Sequence, residues 1–219
     1  MSQDKVEMNV DIVMCIDATG SMGGVIEMVK ENAMSFHEKL IEKLNEIGRD
    51  VVGMRVKVIP FRDLTCNEDM AVSEWFELPS EAADFKKFVS DIKATGGGDE
   101  PETAIDAISL AMKQDWVQIG VKKRHIILLW TDASTKMPGI QKLRPDLPQS
   151  MAEVFKMWGD PQDAVMDPSC KRMILFVPEH ESWNFAEDMD LVSPQYYDLG
   201  SGLDGLTMDV VLDVLAKSV

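Results

Sequence analysis

Three oxygen-bearing side chains lie at alternate positions of one short loop near the start of the chain. Asp17, Thr19 and Ser21 are separated by single residues, and Gly20 permits the loop to bend. One carboxylate and two hydroxyls can therefore converge on one point. Because oxygen ligands suit hard cations, this spacing favours Mg²⁺, which keeps some water and binds oxygen at about 2.0 to 2.1 Å. Taken alone, the same spacing also fits a helix N-cap.

Further acidic residues stand near other element ends. Thr131 and Asp132 follow one apolar run, and Asp63 follows another beside Arg62. Asp63 could approach the same point or form a structural ion pair with Arg62. Asp99 belongs to a glycine-rich stretch, residues 96–102, just before a predicted helix, where an acid favours the helix dipole.

Buried strands alternate with amphipathic helices along the chain. Apolar runs predict strands at 10–16, 54–61, 125–130 and 173–177, and weaker strands at 72–78 and 196–199. Apolar residues at spacings of three and four predict helices at 25–47, 80–92, 101–116, 151–158 and 206–217. This alternation predicts an α/β fold with a mostly parallel sheet covered by helices on both sides. Ligand sites of such sheets lie beyond the carboxyl ends of the strands, where these acids are expected.

The two loop motifs together carry a family resemblance. Asp-Ala-Thr-Gly-Ser-Met and Gly-Gly-Gly-Asp-Glu-Pro-Glu resemble the von Willebrand factor A family, in its intracellular bacterial type with a metal-ion-dependent adhesion site. The family motif is Asp-x-Ser/Thr-x-Ser, a distant Thr and a further Asp. Asp17, Thr19 and Ser21 match its first part, and Asp132 matches its last. Asp99 stands where the family has Thr, so it could bind the metal directly, bind it through water, or only cap the helix.

The resemblance extends over nearly the whole chain and implies a fold and a function. It implies a single domain over residues 1–219, with a core at about 9–218. The implied fold is a Rossmann-like three-layer αβα sandwich with a six-stranded, mostly parallel sheet and one antiparallel edge strand. It further implies one Mg²⁺ or Mn²⁺ on the upper rim and a protein partner that docks there without turnover. Intracellular relatives often work beside protein kinases and phosphatases or in multiprotein complexes.

An enzymatic alternative also starts from the first loop. Asp17 could be the nucleophile of a Mg²⁺-dependent phosphohydrolase of the haloacid dehalogenase type. Such enzymes need a second Asp two residues later, and this chain has Thr19 there. The spacing shows no phosphate-binding Gly-Lys loop, no dinucleotide motif and no Ser–His or Cys–His pair. A binding module rather than an enzyme is therefore expected.

Composition argues against several other classes of protein. The 219 residues carry 22 Lys+Arg and 38 Asp+Glu, a net charge of −16, and no basic stripe for nucleic acid is evident. No run approaches the roughly 18 apolar residues that span a membrane. The first residues lack the apolar segment of a secretory signal. Three separated cysteines, Cys15, Cys66 and Cys170, form no CxxC pair, so a reducing, cytoplasmic location is expected.

Overall fold

The computed structural model describes residues 8–66, 70–96, 100–120, 122–140, 143–159, 166–199, 201 and 203–219. Within these ranges six strands form one sheet: β1 (Met8–Asp17), β2 (Val51–Phe61), β3 (Phe76–Leu78), β4 (Lys122–Trp130), β5 (Lys171–Pro178) and β6 (Val192–Tyr197). Their order is β3-β2-β1-β4-β5-β6. Only the pairing of β2 with β3 is antiparallel. The predicted six-stranded, mostly parallel sheet with one antiparallel edge strand is confirmed.

Helices cover both faces of this sheet and complete three layers. One face carries α1 (Gly23–Asn32), α2 (Phe36–Glu46), α3 (Ala82–Asp91) and α6 (Met208–Ser218). The other carries α4 (Ala104–Met112), α5 (Met151–Gly159) and a 3-10 helix at Glu181–Asp188. Successive strand residues point to opposite faces, so Ile12 enters the first core and Val13 the second. None of the described helices is long and apolar enough to cross a membrane.

The single helix predicted at 25–47 is wrong in one respect, because the chain turns at residues 33–35 and forms α1 and α2 instead. The side-chain amide of Asn32 donates to the Met28 carbonyl at 2.9 Å, and the Ser35 hydroxyl donates to the Asn32 carbonyl. These local bonds compete with continuous helix hydrogen bonding. The apolar spacing of Val29, Ala33 and Phe36 runs across the turn, so periodicity alone did not reveal it.

The two predicted edge strands have different bounds in the structure. β3 is shorter than the predicted 72–78, because Ser73 bonds to β2 outside a regular ladder. Its hydroxyl accepts the Val58 N–H at 2.9 Å, and its N–H donates to the Val58 carbonyl at 3.0 Å. β6 covers Val192–Tyr197 rather than 196–199, and it pairs in parallel with β5.

Helix α4 begins three residues later than the predicted start at Pro101. Glu102 instead forms a parallel β-bridge with Thr135. Its N–H donates to the Ser134 carbonyl at 2.9 Å, and its carbonyl accepts the Lys136 N–H at 2.7 Å. The segment before α4 is therefore fastened to the loop after β4, at the same end of the sheet as the predicted site.

Candidate metal centre

The loop after β1 folds around the carboxylate of Asp17. Asp17 ends the strand, and its side chain is fully buried. Thr19 donates to Asp17 Oδ1 twice, from its N–H at 2.9 Å and from its hydroxyl at 2.7 Å. The hydroxyl oxygens of Thr19 and Ser21 lie 3.4 Å apart. The alternate spacing seen in the sequence therefore does bring these three side chains to one point.

The loop after β4 adds a second carboxylate and a further hydroxyl. β1 and β4 are parallel neighbours, with Ile16 opposite Trp130, so their carboxyl ends meet. Ser21 Oγ donates to Asp132 Oδ1 at 2.9 Å. Thr131 Oγ1 donates to Asp17 Oδ2 at 2.6 Å. The structure thus gathers four of the five predicted site residues, and their role in metal binding stays a prediction.

Burial dominates the electrostatics of this cluster. It raises the pKa of Asp17 to about 6, and the nearby Asp132 carboxylate adds to the rise, while hydrogen bonds from Thr131 and Thr19 oppose it. Two carboxylates close together in a dry site repel each other. A divalent cation between them would offset that repulsion and favour the ionised form of Asp17.

The donor set fits a hard cation that keeps water. Thr19 and Ser21 each donate a hydroxyl hydrogen to a carboxylate, which leaves oxygen lone pairs on both hydroxyls for a cation. The residues that the structure describes contain no group of three or more His, Cys, Asp or Glu side chains that could hold a metal ion. Two hydroxyls and two carboxylates leave coordination positions for water or a partner, as Mg²⁺ and Mn²⁺ prefer.

Comparison with known proteins decides the family. A family model described as the von Willebrand factor A domain matches residues 11–143. The chain belongs to the von Willebrand factor A domain family.

Two curated proteins resemble this von Willebrand factor A domain over about half its length. Alpha-protein kinase vwkA of Dictyostelium discoideum is 30% identical over 107 residues, which are 49% of this chain and 16% of the kinase. A putative ariadne-like RING finger protein, R811, of Acanthamoeba polyphaga mimivirus is 28% identical over 121 residues, 55% of this chain and 10% of that protein. The chain therefore spans only a small part of the curated relatives it matches.

Solved structures agree with the fold. A von Willebrand factor type A protein from Catenulispora acidiphila superposes with a TM-score of 0.54 at 15% identity, covering 97% of this chain and 43% of that one. The pilus adhesin SpaC from Lactobacillus rhamnosus GG gives 0.54 at 13% identity, covering 95% of this chain and 30% of the adhesin. At these identities the likeness shows the fold alone.

Asp99, the fifth predicted site residue, lies outside the described residues of this von Willebrand factor A domain. The stretch that leads to it is bonded to the first loop. Thr95 N–H donates to the Ala18 carbonyl at 3.0 Å, and Gly20 N–H donates to the Gly96 carbonyl at 3.4 Å. The part that Asp99 plays, by direct contact, by contact through water or by helix capping, stays a prediction.

Asp63 is paired, but with a different cation from the one its sequence neighbours suggested. Its carboxylate lies 2.5 Å from Lys136 Nζ and also accepts the Thr65 hydroxyl. Arg62 instead donates to three backbone carbonyls, those of Ala18, Lys93 and Thr95. The suggested Arg62–Asp63 ion pair is wrong, because the Arg62 guanidinium points to the first loop and the end of α3.

Residue spacing in the sequence predicted neither the contact of Thr131 with Asp17 nor the contact between His180 and Ser182 near the rim. Thr131 could have been suspected only as a hydroxyl residue preceding Asp132. A Ser–His contact also forms, with His180 Nδ1 2.9 Å from Ser182 Oγ, although the sequence suggested no such pair. The same nitrogen accepts the Ser182 N–H, so His180 caps the 3-10 helix. Ser182 Oγ accepts the Thr135 N–H, which ties this helix to the loop after β4.

Asp106, in the first turn of α4, predicts a pH dependence of stability that is separate from the metal. It is buried, and burial raises its pKa to about 6, although the Arg144 charge opposes the rise. The folded-state pKa exceeds the unfolded value, so the wild type loses stability as pH rises from about 4 to 6. Asp106→Asn should therefore be about 1 to 3 kcal/mol more stable than the wild type at pH 7, and the gain should vanish near pH 4.

Urea unfolding at pH 4, 5, 6 and 7 measures this difference. The matched control is Asp209→Asn, which changes an exposed aspartate in the first turn of α6. The control should change stability by no more than about 1 kcal/mol at any of these pH values. Equal stability of the wild type and Asp106→Asn at pH 7 would show that the buried carboxylate is not penalised.

Proposed function

We propose that this von Willebrand factor A domain binds one Mg²⁺ or Mn²⁺ at the carboxyl ends of β1 and β4 and recruits a protein partner there without turnover. One observation carries the proposal. Two hydroxyls from one loop each donate to a carboxylate from neighbouring strand ends, Thr19 to Asp17 at 2.7 Å and Ser21 to Asp132 at 2.9 Å. Convergent oxygens at this end of a parallel sheet are typical of a ligand site.

Each residue has a defined part in the proposed site. Thr19 and Ser21 supply hydroxyl oxygens to the cation. Asp17 and Asp132 accept the hydroxyl hydrogens and supply negative charge, either directly or through metal-bound water. The metal, when bound, supplies a Lewis-acidic position for an oxygen atom of the partner.

Asp99 bears on the chemistry of that partner. Three carboxylates around one divalent ion would hold it more tightly and attract a further carboxylate less, because one extra charge at about 4 Å is worth about 4 kcal/mol at an effective dielectric of 20, before desolvation. We therefore propose that the partner offers a neutral oxygen to the metal and basic groups to the acidic rim. Asp99→Thr should weaken metal binding and strengthen binding of an acidic peptide.

Hydrogen bonds and an ion pair hold the loops around the proposed site in place, which supports docking of a partner on them. The loop after β4 is bonded to the segment before α4 through Glu102, and it is joined to the loop after β2 by the Lys136–Asp63 pair. Loops held on a rigid sheet are where recognition usually resides.

One curated relative is named a protein kinase, and we extend the proposal to a complex that contains a kinase or phosphatase. The three cysteines are free thiols, which fits the proposed cytoplasmic location.

Affinity capture with and without metal tests partner recruitment. The immobilised domain should retain a specific protein from cell extract in Mg²⁺ and release it in EDTA, while circular dichroism stays unchanged. Ser21→Ala should fail to retain the same protein. Ser90→Ala, which removes an exposed hydroxyl from α3, should retain it as the wild type does. A protein that stays bound in EDTA or on Ser21→Ala contradicts metal-dependent docking.

A phosphatase assay tests the absence of turnover. An aryl phosphate incubated with the wild type and Mg²⁺ should be hydrolysed no faster than with Asp17→Asn. The comparison matters because Asp17 would be the nucleophile of the alternative enzyme. Hydrolysis by the wild type that Asp17→Asn abolishes would replace the binding module with the phosphohydrolase.

A further inference from the structure

We infer that Thr131 is a positioning residue of the proposed metal site, whose hydroxyl fixes the orientation of the Asp17 carboxylate and thereby sets metal affinity. The inference rests on the proposed function, since it concerns the same site. Thr131 lies directly after β4, and its side chain is fully buried. Its contact with Asp17 joins residues 114 positions apart in the chain.

The direction of this hydrogen bond follows from the chemistry of its neighbours. Thr131 Oγ1 accepts the N–H of Ala133 at 3.2 Å, so a hydroxyl lone pair is used there. An ionised Asp17 has no hydrogen to give. The Thr131 hydroxyl hydrogen must therefore point to Asp17 Oδ2, 2.6 Å away, in a charge-assisted bond of the short, strong kind.

This bond has a different effect from the other bonds to Asp17. The N–H and the hydroxyl of Thr19 both donate to Asp17 Oδ1. Thr19 belongs to the same loop as Asp17, so these two donors would move together with the carboxylate. Thr131 instead donates to Oδ2 from the end of the neighbouring strand β4, next to Asp132. Among the donors to Asp17 in the part of the chain that the structure describes, it alone fixes this carboxylate relative to the second half of the site. Without it the carboxylate gains freedom to rotate, and the two halves lose their common geometry.

Two substitutions at position 131 and one control separate positioning from general stability. Thr131→Val keeps the shape and removes the hydroxyl, whereas Thr131→Ser keeps the hydroxyl. The control is Thr103→Val. Thr103 is a buried threonine that donates to the Arg62 carbonyl at 2.6 Å and accepts the Leu64 N–H at 3.3 Å, so it has the same bonding pattern but no bond to the site.

Calorimetric titration with Mn²⁺ and with Mg²⁺ gives the decisive readout. Thr131→Val should raise the Kd by about 10- to 100-fold, as loss of a residue that orients a metal ligand does elsewhere. Thr131→Ser should stay within about threefold of the wild type. Thr103→Val should lose stability yet bind metal as the wild type does. If Thr131→Val does not fold, Thr131→Ala takes its place with the same expected loss.

The outcomes distinguish this inference from the proposal on which it rests. If the wild type binds metal and Thr131→Val binds it with the same Kd, the positioning role is wrong. The proposed metal site is then unaffected. A Kd that rises equally in Thr103→Val also overturns it, since the loss would then follow stability. Wild type that binds neither ion overturns both. Crystal structures of the metal-free variants should show a rotated Asp17 in Thr131→Val and an unmoved one in Thr131→Ser.

Discussion

Mg²⁺ at one hundred times its Kd should raise the melting temperature of the wild type by about 5 to 10 °C, and Ser21→Ala should abolish this rise. A ligand that binds only the folded state at that concentration adds about 2.7 kcal/mol to the free energy of unfolding. For a chain of this size, each kcal/mol moves the melting temperature by about 2 to 4 °C. Differential scanning fluorimetry over a series of MgCl₂ and MnCl₂ concentrations measures the effect.

Ser21 is the sharpest single position for this test. Its hydroxyl bonds to Asp132 at 2.9 Å, and the residue is exposed, so alanine removes a proposed metal ligand without opening the core. Asp132→Asn, which keeps the shape and removes the charge, should also lose most of the rise. Ser90→Ala, at an exposed position of α3, should keep all of it. A rise in Ser21→Ala equal to that of the wild type would refute metal binding by this loop.

Asp63→Asn should lower the free energy of unfolding by about 3 to 5 kcal/mol, because it leaves a largely buried ammonium without its counter-charge. Asp63 is 1% exposed, and the Lys136 side chain is 13% exposed. The asparagine keeps the shape of the side chain, so the loss reports the charge rather than a cavity. Urea unfolding at pH 7 measures it.

A surface pair supplies the matched control. Asp213→Asn removes the partner of Lys43 at a carboxylate that is 56% exposed, and it should cost no more than about 1 kcal/mol. Burial works against ionisation of Asp63, but hydrogen bonds from Lys136 and Thr65 outweigh it and lower the pKa.

The pH dependence of the Asp63 pair follows from that lowered pKa. The stability from the pair is present above the unfolded pKa of the carboxyl, and it is lost as pH falls through the folded pKa. The gap between the wild type and Asp63→Asn should therefore close in strong acid. A loss below 1 kcal/mol at pH 7 would mean that water reaches Lys136 and replaces the carboxylate.

The sequence by itself determined the four buried strands, β1, β2, β4 and β5, and the polar residues at their carboxyl ends. A parallel strand is covered on both faces, so it must be continuously apolar, and its first polar residue marks where the cover stops. Asp17 is such a residue at the carboxyl end of β1, and Thr131, followed by Asp132, comes directly after β4. The alternate spacing of Thr19 and Ser21 also predicted their convergence with Asp17, because a loop of five residues allows few arrangements of its side chains.

Only the tertiary structure decided which of these ends are neighbours and how their side chains are held. The order that sets β4 beside β1 arises from packing two helical layers, and it brings Thr131 to Asp17 from 114 positions away. Asp63 likewise bonds Lys136 rather than the adjacent Arg62, since successive side chains leave the backbone in different directions. Local sequence patterns indicate burial and side-chain spacing, whereas contacts between distant segments depend on how the whole chain packs.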